Sequence, residues 1–369
     1  MTRRKRALVV VLMLVVLGVA SLALAMSYNS PCGAPDPLPE NATRMKAIIS
    51  RCYGSPDVLT LEEIAKPTAA DDELLVKIHA AAVNPLDWHY MRGSPYIMRL
   101  DAGMGTPNDI RVGADFAGKV EAVGKNVKRF KPGDEVFGVR GGALAEYVTV
   151  REERAVVLKP KNISFEQAAA VPIAAATALQ ALRDKGQIQA GQKILINGAS
   201  GGVGTFAVQI AKSYGADVTG VCSTRNVELV RSIGADHVID YTHEDFTQGK
   251  ERYDLIIDNV GSHALSEYRR VLKPEGKLVI VGGPKGDPFL GPLAGMIKAR
   301  LYSPFVSQEL LGFFSDLNKD DLEVISGLMQ SGKVRSVIDR RYTLNEAPAA
   351  IGYLEAGRAR GKVIVSVLP

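Results

Sequence analysis

Cysteine occurs only three times in the 369 residues, at Cys32, Cys52 and Cys222. Thiols so few and so scattered do not make a disulfide framework or a zinc ribbon. The five histidines, His79, His89, His237, His243 and His263, fall at no spacing that suits a metal site. Strong charge of one sign is missing too. The formal charge of +5 is concentrated at the front, where residues 1–45 hold Arg3, Arg4, Lys5, Arg6 and Arg44 against Asp36 and Glu40; the remainder carries only +2. A nearly neutral body without a basic run argues against nucleic acid as the main partner. With 46% hydrophobic and 23% charged residues the composition is that of a globular protein, long enough for two domains.

Uninterrupted apolar runs are rare, with one exception. Behind the basic residues Arg3 to Arg6, Ala7 to Ala25 forms an uncharged stretch of 19 residues, which as a helix spans roughly 28 Å and approaches the thickness of a bilayer core. It exceeds the usual signal-peptide core of about 7–15 residues. Residues 1–26 are therefore expected to be a single-pass membrane anchor. The alternative is a signal segment cleaved after Ala23-Leu24-Ala25, which would leave a secreted or periplasmic protein. Residues 27–45, rich in proline and polar groups, read as a linker.

Glycine is plentiful, at 36 residues, and its placement is the most informative feature of the chain. The apolar run Ile194 to Ile196 enters a turn containing Gly198, Gly201, Gly202 and Gly204; an apolar-periodic segment from Val203 to Tyr214 comes next, then a β-branched run at Val218 to Val221. Strand, tight turn, helix and strand in that order predict a dinucleotide held at a helix N-terminus. Ala199, Ser200, Gly201, Gly202, Val203 and Gly204 are the expected pyrophosphate-binding residues, with Ala199 where the usual fingerprint has its first glycine. At the end of the second strand an NAD site carries Asp or Glu, but this chain has Ser223 and Arg225. A hydroxyl and a cationic fork suit a 2′-phosphate, so the expected cofactor is NADP(H) rather than NAD.

Further apolar runs at His237 to Asp240, Tyr253 to Val260 and Lys277 to Gly283 alternate with helical stretches at Val227–Ile233 and Ala264–Leu272. This alternation predicts an α/β fold with a doubly wound parallel sheet, a Rossmann domain over 166–334. Asn259, Gly261 and Gly282 lie where strand ends would border the nucleotide, or serve as ordinary turn residues. Residues 46–165 instead carry short strands (Leu74 to Ala80, Phe116 to Val123, Ala145 to Val150) and turns, the pattern of a β-rich barrel-like domain. Residues 335–369 end in a strand expected to return to it.

Several ordered motifs then carry a resemblance. Asn84 to Trp88, Gly113 to Gly118, Lys131 to Phe137, Ala143 to Tyr147, Pro172 to Ala181 and the glycine turn occur in the order seen in medium-chain dehydrogenase/reductases. Residues 46–369 most resemble the zinc-free quinone oxidoreductase and enone reductase branch. The resemblance implies a GroES-like substrate domain packed on the Rossmann domain, with the site in the cleft and a homodimer as an expectation. Where zinc-dependent relatives carry a cysteine and a Gly-His-Glu segment, this chain reads Ala82 to Asp87 and Gly113-Ala114-Asp115, and no metal is expected. The implied activity is NADPH-dependent hydride transfer to a conjugated ketone, reactive aldehyde or quinone. Metal-free alcohol dehydrogenation and a membrane-tethered NADPH-binding interaction protein with little turnover remain alternatives.

Asn84 and Asp87 are implied beside nicotinamide and substrate, Asn84 as an amide donor. His89 and Tyr90 are candidates for proton delivery; the alternative for Asp87 is a helix cap. Thr177, Tyr241, Arg360 and Lys362 are implied on the cofactor side. The side of the membrane stays open. Basic residues belong on the cytoplasmic side, which would put the body across the bilayer, whereas an NADPH-dependent body belongs in the cytosol.

Overall fold

The computed structural model describes residues 3–35, 37–284 and 287–368, without the side chains of residues 3, 4 and 6–8. Lys285 and Gly286 lie outside the described residues. Fifteen strands are described. They are β1 (Arg44–Ser50), β2 (Leu59–Ala65), β3 (Glu73–Val83), β4 (Asp115–Val123), β5 (Glu135–Val139), β6 (Tyr147–Arg151), β7 (Val156–Leu158), β8 (Lys193–Asn197), β9 (Asp217–Cys222), β10 (His237–Asp240), β11 (Tyr253–Asp258), β12 (Leu272–Ile280), β13 (Glu309–Gly312), β14 (Ile338–Thr343) and β15 (Lys362–Ser366).

The nucleotide half is a six-stranded sheet in the order β10-β9-β8-β11-β12-β13, parallel throughout. Successive residues of a strand face opposite sides, and both sides are apolar here. Ile194 and Ile196 join one buried cluster with Phe206 and Ile210, whereas Leu195 joins another with Ile256 and Tyr268. Two covered faces explain why these strands read as continuous apolar runs.

The other half is a seven-stranded path, β14-β15-β3-β4-β5-β7 with β6 against β3, mostly antiparallel, and a separate β1–β2 ribbon. The last strand pairs antiparallel with β3, Val363 opposite Val83. Just before it, Gly361 makes a parallel bridge to Gly201. This single pairing brings the C-terminal strand against the turn that opens the helix Gly202–Ser213.

The helix Arg3–Ser27 is apolar over Val9–Ser27, with a mean hydropathy of 2.9, long and apolar enough to cross a membrane. The segment after it departs from a free linker. Cys32 is disulfide-bonded to Cys52, leaving Cys222 as a buried thiol, and residues 28–30 bond to the loop after Arg92. A count of three cysteines excludes a framework but cannot foresee one bridge.

Candidate active site

The glycine turn is built as its order predicts. Gly198, at φ +77°, makes the tight turn one residue before Ala199, which is why alanine is tolerated there. A Cβ on Gly204 would lie 2.1 Å from the Gly198 carbonyl oxygen, so this glycine serves the packing of helix on strand. Gly201 differs. A Cβ there would meet nothing of the protein closer than 3.5 Å, and Gly201 lines the cavity, so the space it leaves is open toward a ligand.

That cavity, about 450 Å³, lies between the two halves. Gly201, Gly202, Val203, Asn259 and Gly282 line it from the nucleotide side, and Asn84, His89 and Lys362 from the other. Apolar walls come from Leu86, Ile173, Met296 and Phe314. Asp258 shapes the strand end beside it: its Oδ1 accepts from Val260 N (3.1 Å), Gly261 N (3.0 Å) and Asn197 Nδ2 (2.9 Å). Gly282 is held by close packing, since a Cβ would lie 2.2 Å from the Asn259 carbonyl oxygen.

The substrate-side floor is a buried polar network. Lys362 Nζ donates to Asn84 Oδ1 (2.5 Å) and pairs with Asp115 Oδ2 at 3.2 Å. Asn84 Nδ2 donates to Asp115 Oδ2 (2.9 Å) and to the Ala82 carbonyl (3.3 Å). The other Asp115 oxygen accepts from Ile173 N at 3.0 Å. Both hydrogens of the Asn84 amide are thereby committed, so the expectation that it donates to a substrate oxygen does not fit this geometry. Burial raises the Asp115 carboxyl above its usual range, and the Lys362 ammonium opposes that rise. Asp115 drew no attention as a functional residue in the sequence; the signal was a carboxylate inside an apolar strand.

Asp87 takes the capping role. Its Oδ2 accepts from Asn84 N at 2.7 Å, closing a capping box on the helix Pro85–Arg92. Buried and away from the cavity lining, it is pushed up to about 7, chiefly by desolvation and then by the nearby Asp115 charge. Tyr90 is exposed and does not line the cavity, whereas His89 does. The Ser94 carbonyl lies 2.6 Å from His89 Nδ1, which makes Nδ1 the protonated nitrogen. Thr177 Oγ1 back-bonds to the Ile173 carbonyl at 2.7 Å, a contact within its own helix.

Around the end of β9, Asn226 Nδ2 donates to Ser200 Oγ (3.0 Å) and Ser223 Oγ (3.2 Å). Asn226 Oδ1 and Asn259 Oδ1 are buried acceptors with no partner. Arg225 is exposed and donates to the Arg358 carbonyl (2.9 Å). Arg360 is exposed with its backbone N–H on Asp339, and Tyr241 is exposed after β10. Of the predicted cofactor residues, Gly201, Gly202, Val203, Asn259, Gly282 and Lys362 line the cavity and Ser223, Arg225, Tyr241 and Arg360 lie at this rim, whereas Thr177 is buried outside the cavity lining.

Comparison with known proteins agrees with this architecture. Family profiles described as "Alcohol dehydrogenase GroES-like domain" and "Zinc-binding dehydrogenase" match residues 70–161 and 233–365. The 2-methylene-furan-3-one reductase of Solanum lycopersicum is 36% identical, over 89% of this chain and 80% of the relative. The NADPH-dependent alkenal/one oxidoreductase, chloroplastic, of Arabidopsis thaliana is also 36% identical, over 88% and 80%. The solved quinone oxidoreductase from Coxiella burnetii superposes with a TM-score of 0.76 at 31% identity, covering 88% of this chain and all of that one. The chain belongs to the medium-chain dehydrogenase/reductase family. Within it, the likeness is to the quinone and enone oxidoreductase branch, and the family works with a nicotinamide cofactor.

The residues present fit that cofactor. The ligand-side space at Gly201, with the cavity-lining Gly202 and Val203 at the start of the same helix, is what a bound dinucleotide would fill. They do not fit a catalytic zinc. Among the described residues no three His, Cys, Asp or Glu side chains gather as ligands; the floor holds an amide, an ammonium and one carboxylate already paired with that ammonium, and the cavity wall adds one imidazole.

Proposed function

We propose that this family member is an NADPH-dependent, metal-independent reductase of conjugated ketones, reactive aldehydes or quinones. The observation that carries the reading is a largely apolar cavity that joins the glycine-turn helix to the Lys362–Asn84–Asp115 floor. Ser223 and Arg225 stand where an acid would select NAD, and they favour a 2′-phosphate. Gly201, Gly202 and Val203 would hold the pyrophosphate at the helix N-terminus, with Lys362 across Gly202, its Cδ within 3.3 Å of the space a Cβ would take.

Bound there, a reduced nicotinamide would supply hydride to the conjugated carbon of the acceptor, whose oxygen would take the displaced electron pair and then a proton. The chain's own residues prepare that event. Lys362, held by Asn84 and Asp115, puts a fixed positive charge at the floor, where negative charge on an oxygen is stabilised. His89, with Nδ1 on the Ser94 carbonyl, lines the cavity as the imidazole placed to pass the proton. Asp87 contributes by fixing the start of the helix that carries His89.

The helix Arg3–Ser27 serves as a membrane anchor in this reading, and the open edge of β13 is the face for a second copy. Full-length protein should oxidise NADPH when given a small α,β-unsaturated ketone or a 1,4-quinone, undiminished by a chelator. Tight NADPH binding without acceptor-dependent oxidation across both classes would refute the reductase reading and favour a binding role. Light scattering in detergent reads the copy number.

A further inference from the structure

The apolar helix and the cavity are joined by more than a linker. Arg99 grips the residues immediately after the helix, Nη1 donating to the Tyr28 carbonyl (2.9 Å) and Nη2 to Asn29 Oδ1 (2.8 Å). This arginine is 1% exposed, lies over the rings of Tyr53 and Tyr96, and donates from Nε to the Gly93 carbonyl at 2.7 Å. A buried guanidinium is costly unless its donors are filled, and here residues 28 and 29 help to fill them. Ser30 N donates to the Gly105 carbonyl (3.0 Å), Met26 is buried, and the Cys32–Cys52 bridge closes the segment onto the body.

The same loop bonds to a second segment that reaches the cavity. Tyr96 N and Ile97 N donate to the carbonyls of Pro288 (2.7 Å) and Phe289 (3.1 Å), in the segment that runs on to the cavity-lining Pro292 and Met296. Ser94, in that loop, holds His89. On these segments three large apolar side chains are uncovered: Leu100 at 61% exposure, Met104 at 46% and Phe289 at 43%. Single exposed apolar residues are ordinary. Leu100 and Met104, however, adjoin Arg99 and Gly105, the residues that hold the end of the apolar helix.

We propose that this face rests on the bilayer and that the cavity draws its acceptor, a quinone with a long apolar tail, from the lipid rather than from water. The proposal rests on the anchored reductase reading and goes beyond it in naming a surface and a substrate source. A helix end fixed against the body, instead of swinging on a tether, determines which face meets the membrane. The face so determined carries Leu100 and Met104, and the loop that carries them bonds to the segment that lines the cavity at Pro292 and Met296.

The test uses the full chain in phosphatidylcholine vesicles with or without brominated acyl chains, which quench nearby tryptophan. Leu100→Trp is compared with Val324→Trp, on the helix Lys319–Gln330, which packs mainly on the helix Pro172–Gln180 and β7; the parent's single tryptophan is Trp88. The added fluorescence at position 100 should be quenched and that at 324 should not. In parallel, two 1,4-benzoquinones differing only in a methyl or a decyl tail are assayed with NADPH. The parent should prefer the decyl form by at least about tenfold, because the longer tail concentrates in the lipid. Leu100→Asp with Met104→Asp should erode that preference severalfold and leave the methyl quinone rate unchanged. Equal quenching at both positions, or recovery of a chain that has lost its apolar helix, overturns the membrane face. Quenching at 100 without a tail preference overturns delivery from lipid. Quenching at 100 with neither quinone reduced supports the face and counts against the reductase reading.

Discussion

Replacing Lys362 by methionine isolates the buried floor. The Lys362 and Asp115 side chains are 3% and 0% exposed, 3.2 Å apart. Removing one partner of such a pair typically costs about 3–5 kcal/mol, because a charge is left buried and uncompensated. Asp115 retains two donors, Asn84 Nδ2 and Ile173 N, which holds the expected loss near the lower end, about 3 kcal/mol, or a fall in Tm of roughly 6–10 °C. The loss should depend on pH with a definite sign. Burial already raises the Asp115 carboxyl and the ammonium is the main influence opposing it, so Lys362→Met raises it further. A carboxyl raised in the folded state costs nothing below its unfolded value near 4 and costs increasingly as pH climbs toward the folded value. Thermal melts of parent and variant should therefore differ less at about pH 5 than at about pH 8, and adding Asp115→Asn should recover part of the deficit at the higher pH. A deficit of equal size at both pH values, or one below about 1 kcal/mol, would refute the reasoning.

The other predictions rest on single contacts. Arg225→Ala should weaken NADPH binding about tenfold or more while leaving NADH nearly unchanged, read by nucleotide fluorescence titration, because a charge-assisted contact is worth about 1.5–3 kcal/mol. Gly201→Ala should fold like the parent yet lose dinucleotide affinity, whereas Gly204→Ala should lower Tm or soluble yield outright, since its Cβ would lie 2.1 Å from a carbonyl oxygen; similar behaviour of the two variants would contradict the division of roles. Asp87→Asn keeps an acceptor for Asn84 N and removes a carboxyl pushed up to about 7. The ionised Asp87 penalises folding above its unfolded value, increasingly up to about pH 7 and constantly beyond. The variant should thus match the parent near pH 4 and exceed it above neutrality by up to about 4 kcal/mol, as denaturant midpoints would reveal.

The nucleotide sheet was legible because both faces of its strands are covered, so Ile194 to Ile196 and Tyr253 to Asp258 stand out as unbroken apolar runs. The glycine turn was legible because spacing, not contact, defines it. Asp87 was readable in both of its senses, and only burial and the bond to Asn84 N decide for the cap. The floor was not legible in the same way. Asn84 looks like a free amide until its partners are known, and those lie 31 and 278 positions away. The Cys32–Cys52 bridge escaped for a related reason, since pairing depends on Cα atoms brought to 4.7 Å by folding and not on a count.

The floor also explains how two halves of different architecture make one site. Asn84 comes from the end of β3, Asp115 from the start of β4 and Lys362 from the start of β15, while Gly361 beside it pairs with Gly201 at the glycine turn. The ammonium that would face the cofactor is therefore held by the substrate half, and the backbone next to it is held by the nucleotide half. Neither half alone carries both groups. A dinucleotide bound against Gly201 and Lys362 would bridge the two, and by binding only the assembled cleft would stabilise their union by RT ln(1 + [L]/Kd), about 2.7 kcal/mol at a hundredfold excess over Kd. Cofactor binding should accordingly raise the unfolding of both halves together rather than that of the nucleotide half alone.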